Sequence, residues 1–146
     1  LTDTTSRVFH KVWEMACFAG FLTGREAARV MLPRGRGTIL FTGASASLRG
    51  RQGFSAFAAA KHGLRALAQS AARELGPQGI HVAHVVVDGS IDGVFSRANI
   101  PDLEARLEGD SILKPDEIAS NYVWLHKQQR SAWTHELDLR PWTETW

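Results

Sequence analysis

A single cysteine, Cys17, leaves no partner for an internal disulfide, so the sequence suits a reducing compartment, with the cytoplasm as the expected location. Long hydrophobic runs are missing too. The most apolar stretch, Met15 to Leu22, is far shorter than the ~20 residues that a bilayer span needs, and no signal-peptide pattern opens the chain, so no membrane partner is expected. Charge of one sign is equally scarce. The 17 basic and 15 acidic residues are scattered, and the net charge of +2 marks no basic patch that would suit nucleic acid. There is no long polar tract, internal repeat or dividing linker. An initiator methionine is also absent, and Leu1 to Ser6 run straight into a helix start, as in a sequence entered partway through. What remains is 146 residues, 44% of them hydrophobic, which predict one domain over 1–146 with a core of its own.

Thr4, Thr5 and Ser6 are candidate N-caps. From Val8 to Leu32 no proline intervenes while Phe9, Val12, Trp13, Ala16, Ala19 and Gly20 recur at helical spacing. This predicts one long helix over 6–32, ended by Pro33. Around Cys17 to Leu22 it is apolar on nearly every face, which implies burial on two sides, against its own sheet and a second subunit. Ala16, Ala19 and Gly20 would let that neighbour come close. A short buried strand is expected at Thr38 to Thr42, between Gly37 and Gly43. A second helix spans 54–75, stopped by "GPQG", and the β-branched run Ile80 to Val87 is the next strand. Shorter helices follow over Pro101 to Leu107 and Pro115 to Lys127. The alternation in "AWTHELDLR" then predicts a half-exposed last strand. Helices alternating with apolar strands argue an α/β fold, a parallel sheet covered by helices on both faces.

Phe57 and Lys61 stand four apart on the second helix and share one face near its N-terminal end, beside the loop that leaves the preceding strand. In doubly wound sheets, ligands bind at the carboxyl ends of strands. Taken alone, such a lysine is most often solvated and such a phenylalanine most often core. Their surroundings change that reading. "VFHKVWEMACFAGF", "GTILFTGASASLRG", "FAAAKHGLRALAQSAARELGPQGIHV", "VVVDGSID" and "KPDEIA", in this order, resemble the C-terminal half of a short-chain dehydrogenase/reductase across nearly all 146 residues. The resemblance implies part of a Rossmann-like doubly wound sheet and NAD(P)-dependent oxidoreductase chemistry. It also implies a four-helix interface in which helices 6–32 and 54–75 pair with their copies in a homodimer or homotetramer.

In that family a tyrosine four residues before the lysine passes a proton to or from the substrate. The lysine lowers its pKa and binds the nicotinamide ribose, a loop serine orients the substrate oxygen, and an asparagine in the long helix supports a proton relay. Carried onto this chain, only the lysine survives, as Lys61. Phe57 takes the tyrosine position, Ala44 the serine position and Ala16 the asparagine position. A phenyl ring has no titratable proton, and losing a positioned acid typically costs ~10²- to 10⁴-fold in rate. Losing a hydrogen bond to a developing oxyanion costs on the order of 10²-fold or more. Substitutes within reach are Ser45, Ser47, Ser55, His62 and Lys61 itself, although loop serines mostly satisfy their own loop and His62 is expected to point away. The resemblance further implies that Asp88, Gly89, Ile91 and Gly93 form the loop against the nicotinamide carboxamide, with Asp88 where proline is usual and Gly93 where threonine is usual.

Nothing in these residues matches the glycine-rich turn that seats the cofactor pyrophosphate on a helix N-terminus, so NAD(P) binding by this chain is expected to be weak or absent. No metal site is expected either. His81 and His84 lie three apart on a strand and point to opposite faces, and His126 and His135 lack spaced carboxylate or cysteine partners. Trp142 and Trp146 read more readily as a tail packing on its own core or a neighbour than as a ligand platform. Arg34, Arg36, Arg49 and Arg51 flank the two loops near the expected crevice, where they could meet a phosphate or simply be solvated. Two functions stay open: an oxidoreductase relative whose proton transfer is lost or reassigned, and a non-catalytic oligomerisation or binding module.

Overall fold

The computed structural model describes residues 1–145; Trp146, half of the expected tail pair, lies outside the described residues. Helix α1 (Ser6–Trp13) is capped by Thr5, whose hydroxyl accepts the Val8 amide at 3.2 Å. The expected single long helix is interrupted by one π-helical turn, Glu14–Phe18, before it continues as α2 (Ala19–Met31). Strand β1 (Gly37–Ala44) is longer than expected at both ends, and α3 (Ser55–Leu75) begins one residue after the expected start. Strand β2 (Ile80–Val87) and the later helix Pro115–Lys127 have the expected bounds.

Between them lie α4 (Val94–Asn99), which the sequence pattern did not reveal, and α5 (Leu103–Glu108); Pro115–Lys127 is α6. The last strand, β3, is only Glu136–Leu139. Trp133 is diverted from it. Its indole stacks on His81 at 4.8 Å and donates to the Gln128 carbonyl at 3.3 Å.

The three strands form a parallel sheet in the order β1-β2-β3, with Gly37 opposite Ile80 and Val87 opposite Leu139. All eight residues of β2 are buried, as befits the central strand of a sheet covered on both faces. Alternation divides the core. Ile39, Phe41, Ile80 and Val82 pack with Ala28 of α2 and with Leu64, Ala68 and Leu75 of α3. Leu40, Ala83, Val85 and Val87 pack with Leu125, Ile118 and Tyr122 of α6 on the other face. The doubly wound arrangement follows directly.

Two small residues of the long helix serve packing within the chain. A Cβ on Gly20 would come within 2.5 Å of Leu64, and one on Gly24 within 2.8 Å of Phe41, so glycine at both positions lets α2 settle on α3 and the sheet. The other side of the helix stays open, with Val8, Phe9, Trp13, Met15, Phe18, Phe21 and Leu22 all exposed.

Candidate functional site

The carboxyl ends of β1 and β2 lie side by side, with Ala44 in register with Val87, and the two loops that follow them carry the expected site residues. Strand β1 delivers Thr42 and Ala44, and β2 delivers Asp88 and Gly89. The first turns of α3 bring Phe57 and Lys61 over the same end. The Lys61 ammonium donates to the Thr42 carbonyl at 2.9 Å and lies 5.8 Å from the centre of the Phe57 ring. It pairs with no carboxylate among the described residues, and burial holds its pKa below the ordinary lysine value. Ala16, on the π-helical turn, shares with Thr42, Leu64 and Lys61 the wall of a cleft of about 360 Å³. Lys61 and Ala16 thereby share one wall, while Phe57 does not line that cleft and is placed only by its ring 5.8 Å from the Lys61 ammonium.

Ala44 ends β1 and its amide donates to the Ser47 hydroxyl at 3.1 Å, so Ser47, fully buried, serves the turn Ser45–Ser47. The Ser45 hydroxyl beside Ala44 is half-buried and has no hydrogen-bond partner among the described residues. Ser55 is half-buried at the start of α3. His62 is turned to its own helix, its Nδ1 2.9 Å from the Ala58 carbonyl oxygen, as expected.

The loop after β2 is held from several sides. Ser90 and Leu113 join through the Leu113 amide at 2.9 Å, the Asp92 amide donates to Leu113 at 2.9 Å, and the Ser96 hydroxyl donates to the Ile91 carbonyl at 2.5 Å. Gly93 is extended and opens α4. Gly89 has φ +155°, and a Cβ there would meet Pro141 at 2.8 Å, so the tail lies directly on this loop. Asp88 is committed: its buried carboxylate accepts from Arg49 at 3.2 Å, and Arg49 also reaches Glu144 of the tail at 3.6 Å. Arg49 is therefore no free loop charge, and it ties the loop after β1, the loop after β2 and the tail together. Arg34 and Arg36 are at the other end of β1 altogether, in a groove with Thr38 and His126, so they do not flank the crevice. Arg51 is exposed. Trp142 is 80% exposed, with only its indole nitrogen engaged, on the Gly109 carbonyl at 3.1 Å.

Sequence reasoning missed one polar cluster next to the site. Arg65 of α3 binds Glu136 of β3 through two 2.7 Å hydrogen bonds, and Glu136 accepts from His84 Nδ1 at 3.0 Å. His84 is fully buried and its Nε2 has no partner among the described residues. That nitrogen faces Gly43, where a Cβ would stand 2.3 Å from it and 2.9 Å from the Ser47 hydroxyl. The Arg65 guanidinium holds the Glu136 carboxyl below the usual carboxylate range, and burial depresses His84, so the imidazole is neutral with its proton on Nδ1. His81 points to the opposite face, its Nε2 2.8 Å from the Thr134 carbonyl oxygen, as the odd spacing predicts. No group of three metal-ligating side chains occurs among the described residues. Tyr122 was also overlooked; its hydroxyl is 2.8 Å from that of Thr42.

Residues 1–136 match the family model for enoyl-(acyl carrier protein) reductase. The chain belongs to the short-chain dehydrogenase/reductase family. A short-chain dehydrogenase from Rhodopseudomonas palustris, known in crystal structure, is 50% identical and superimposes with a TM-score of 0.77 over 97% of this chain and 55% of its own. Among curated relatives, (21S)-21-acetoxyl-apo-melianone synthase of Melia azedarach is 33% identical over 86% of this chain and 48% of its own. Momilactone A synthase of Oryza sativa subsp. japonica is 31% identical over 86% and 49%. The structure of 4-hydroxyisoleucine dehydrogenase with NADH, at 23% identity and a TM-score of 0.80, shares the fold. This short-chain dehydrogenase/reductase chain spans about half the length of the relatives it matches. None of its described helices is long and apolar enough to cross a membrane.

Proposed function

We propose that this chain forms the nicotinamide-side half of an NAD(P)-linked oxidoreductase site in which the family's proton transfer has been given up. The observation that carries the reading is Lys61 at the carboxyl end of β1, with the Phe57 ring rather than a phenol beside it. Lys61 offers an ammonium to ribose hydroxyls, and the pinned loop from Gly89 to Gly93 offers backbone groups to a carboxamide. Asp88 is spent on Arg49 and offers nothing to a ligand. These residues suit the nicotinamide end of a dinucleotide, whereas the pyrophosphate end finds no glycine-rich turn in this chain. The bound cofactor would supply hydride. The protein would supply position, with Ser45 as the one unengaged hydroxyl beside Ala44 that could orient a substrate oxygen.

The test is a titration of NADPH and NADH into the chain, following energy transfer from its tryptophans to the reduced nicotinamide, with Lys61→Ala alongside. Saturable binding that the substitution weakens supports the reading. No binding up to millimolar cofactor removes it for this chain. A second reading, a non-catalytic oligomerisation module, is favoured by the exposed Val8, Phe9, Trp13, Phe18 and Phe21, an apolar face that a second copy would cover in a homodimer or homotetramer. Both readings fit a reducing, cytoplasmic setting for the free Cys17.

A further inference from the structure

At the opposite end of the sheet from Lys61, the amino ends of β1 and β2 border a groove of about 610 Å³. Segments far apart in sequence build it. The turn before β1 supplies Arg34 and Arg36, β2 supplies His81, and the stretch between α6 and β3 supplies Arg130 and Trp133. No carboxylate lines it among the described residues. Its three guanidinium charges exceed the net charge of +2 of the whole chain, so charges scattered along the sequence are gathered here with one sign. Arg34 and Arg36 are exposed and make no hydrogen bond or ion pair among the described residues, whereas Arg25, Arg29, Arg49, Arg65 and Arg97 are each paired with an acid. Arg130 is held against the same turn, donating from Nη2 to the Gly35 carbonyl at 2.9 Å. An unpartnered acceptor belongs to the same wall. His81 is 3% exposed and its Nε2 donates to the Thr134 carbonyl at 2.8 Å. A carbonyl can only accept, so the neutral ring carries its proton on Nε2, and the Nδ1 lone pair has no partner among the described residues.

We propose that this groove binds a small hydroxyl-bearing phosphate, of the sugar phosphate class. Phosphate oxygens accept from planar guanidinium groups in bidentate pairs, and such charge-assisted bonds are stronger than neutral ones. Two unpaired arginines on one turn, with a third held against that turn, supply the donors a phosphate dianion requires, and no acid has to be displaced first. The volume suits an organic molecule rather than a lone ion. A buried acceptor is costly to leave unmatched, and a ligand hydroxyl would donate to His81 Nδ1. Met31 and Trp133 offer apolar surface to the carbon skeleton. The groove lies away from Lys61 and from the loop Gly89 to Gly93, so the inference stands apart from the oxidoreductase reading.

The test is a calorimetric titration of ribose 5-phosphate into the 146-residue chain at low ionic strength, with ribose and inorganic phosphate titrated in parallel. Ribose 5-phosphate should saturate one site and bind more tightly than inorganic phosphate, and ribose should not bind. Arg34→Gln and Arg36→Gln together should raise the dissociation constant at least about tenfold, as the loss of charge-assisted hydrogen bonds does. Both side chains are exposed and unpaired, so the melting temperature of that double variant should equal the parent's. Arg51→Gln, which removes an exposed arginine outside the groove, should leave the affinity unchanged. So should Lys61→Ala, which separates this site from the nicotinamide contact of the oxidoreductase reading. The proposal is overturned by an absence of saturable binding at millimolar ribose 5-phosphate, or by inorganic phosphate binding as tightly. It is equally overturned if Arg51→Gln or Lys61→Ala weakens binding as much as the double variant does.

Discussion

At the scale of single residues, the polar cluster Arg65, Glu136 and His84 has a sign that can be worked out. His84 has its folded pKa depressed below the ordinary 6.5 by burial, so the unfolded chain binds its proton more readily. Its contribution to stability is intact above pH 6.5 and declines as pH falls below that value. Glu136, held below 4.5 by Arg65, adds a second loss at lower pH, as its carboxylate is protonated through its folded pKa. The melting temperature should therefore fall in two stages on acidification, and His84→Asn should flatten the upper one. Gly43→Ala places a Cβ against an imidazole that cannot retreat from Glu136, and should cost about 1–3 kcal/mol in a urea titration. None of this cluster was legible in the sequence, because its bonds join residues 52 and 71 positions apart that only the sheet register brings together. Phe57 and Lys61 were legible for the opposite reason. Residues four apart on one helix share a face whatever the rest of the fold does.

Among the elements, β2 could be bounded from its composition, since a buried central strand is mostly β-branched and apolar, and only His81, Ala83 and His84 depart from that in Ile80–Val87. β3 could not. The alternation from Trp133 to Leu139 suits a strand, but Trp133 leaves the ladder to stack on His81, a contact no periodicity encodes. The long helix shows the same limit: its apolar spacing continues through Glu14–Phe18, whereas the backbone there widens into a π-helical turn. That turn carries Ala16 and Cys17, and Cys17 Sγ would lie 3.0 Å from a Cβ on Gly63 of α3. The closeness of α2 to its neighbours is set by Gly20 and Gly24. Gly24→Leu should push α2 away from Phe41 and destabilise the chain, whereas Gly76→Ala, with open space around it, should leave the denaturant midpoint nearly unchanged. A Gly24→Leu chain as stable as the parent would refute the packing account.

For the molecule as a whole, the fold class was readable because helices alternating with largely apolar strands admit few arrangements, while the use of its surfaces was not. Trp13, Phe18 and Phe21 form a stacked aromatic row on the open side of the long helix, with successive ring centres 5.6 and 6.0 Å apart. If a second copy covers that row, light scattering should give at least twice the chain mass of 16.1 kDa, and Phe18→Glu should return it to the monomer value. A monomer at all concentrations would remove the oligomer proposal.

The proposed function rests on Lys61 standing where it acts on position 57, even though Phe57, Ala44 and Ala16 replace the family's tyrosine, serine and asparagine. The most direct measurement is an ultraviolet titration of Phe57→Tyr. The native chain has one other phenol, Tyr122, whose pKa burial raises, so the two signals separate. With Lys61 poised beside position 57, the introduced phenol should ionise below the ordinary value of about 10, and Lys61→Met in the same background should abolish the shift. A phenol that titrates at or above about 10 with Lys61 in place would mean that the lysine does not act on position 57, and the claim would fail.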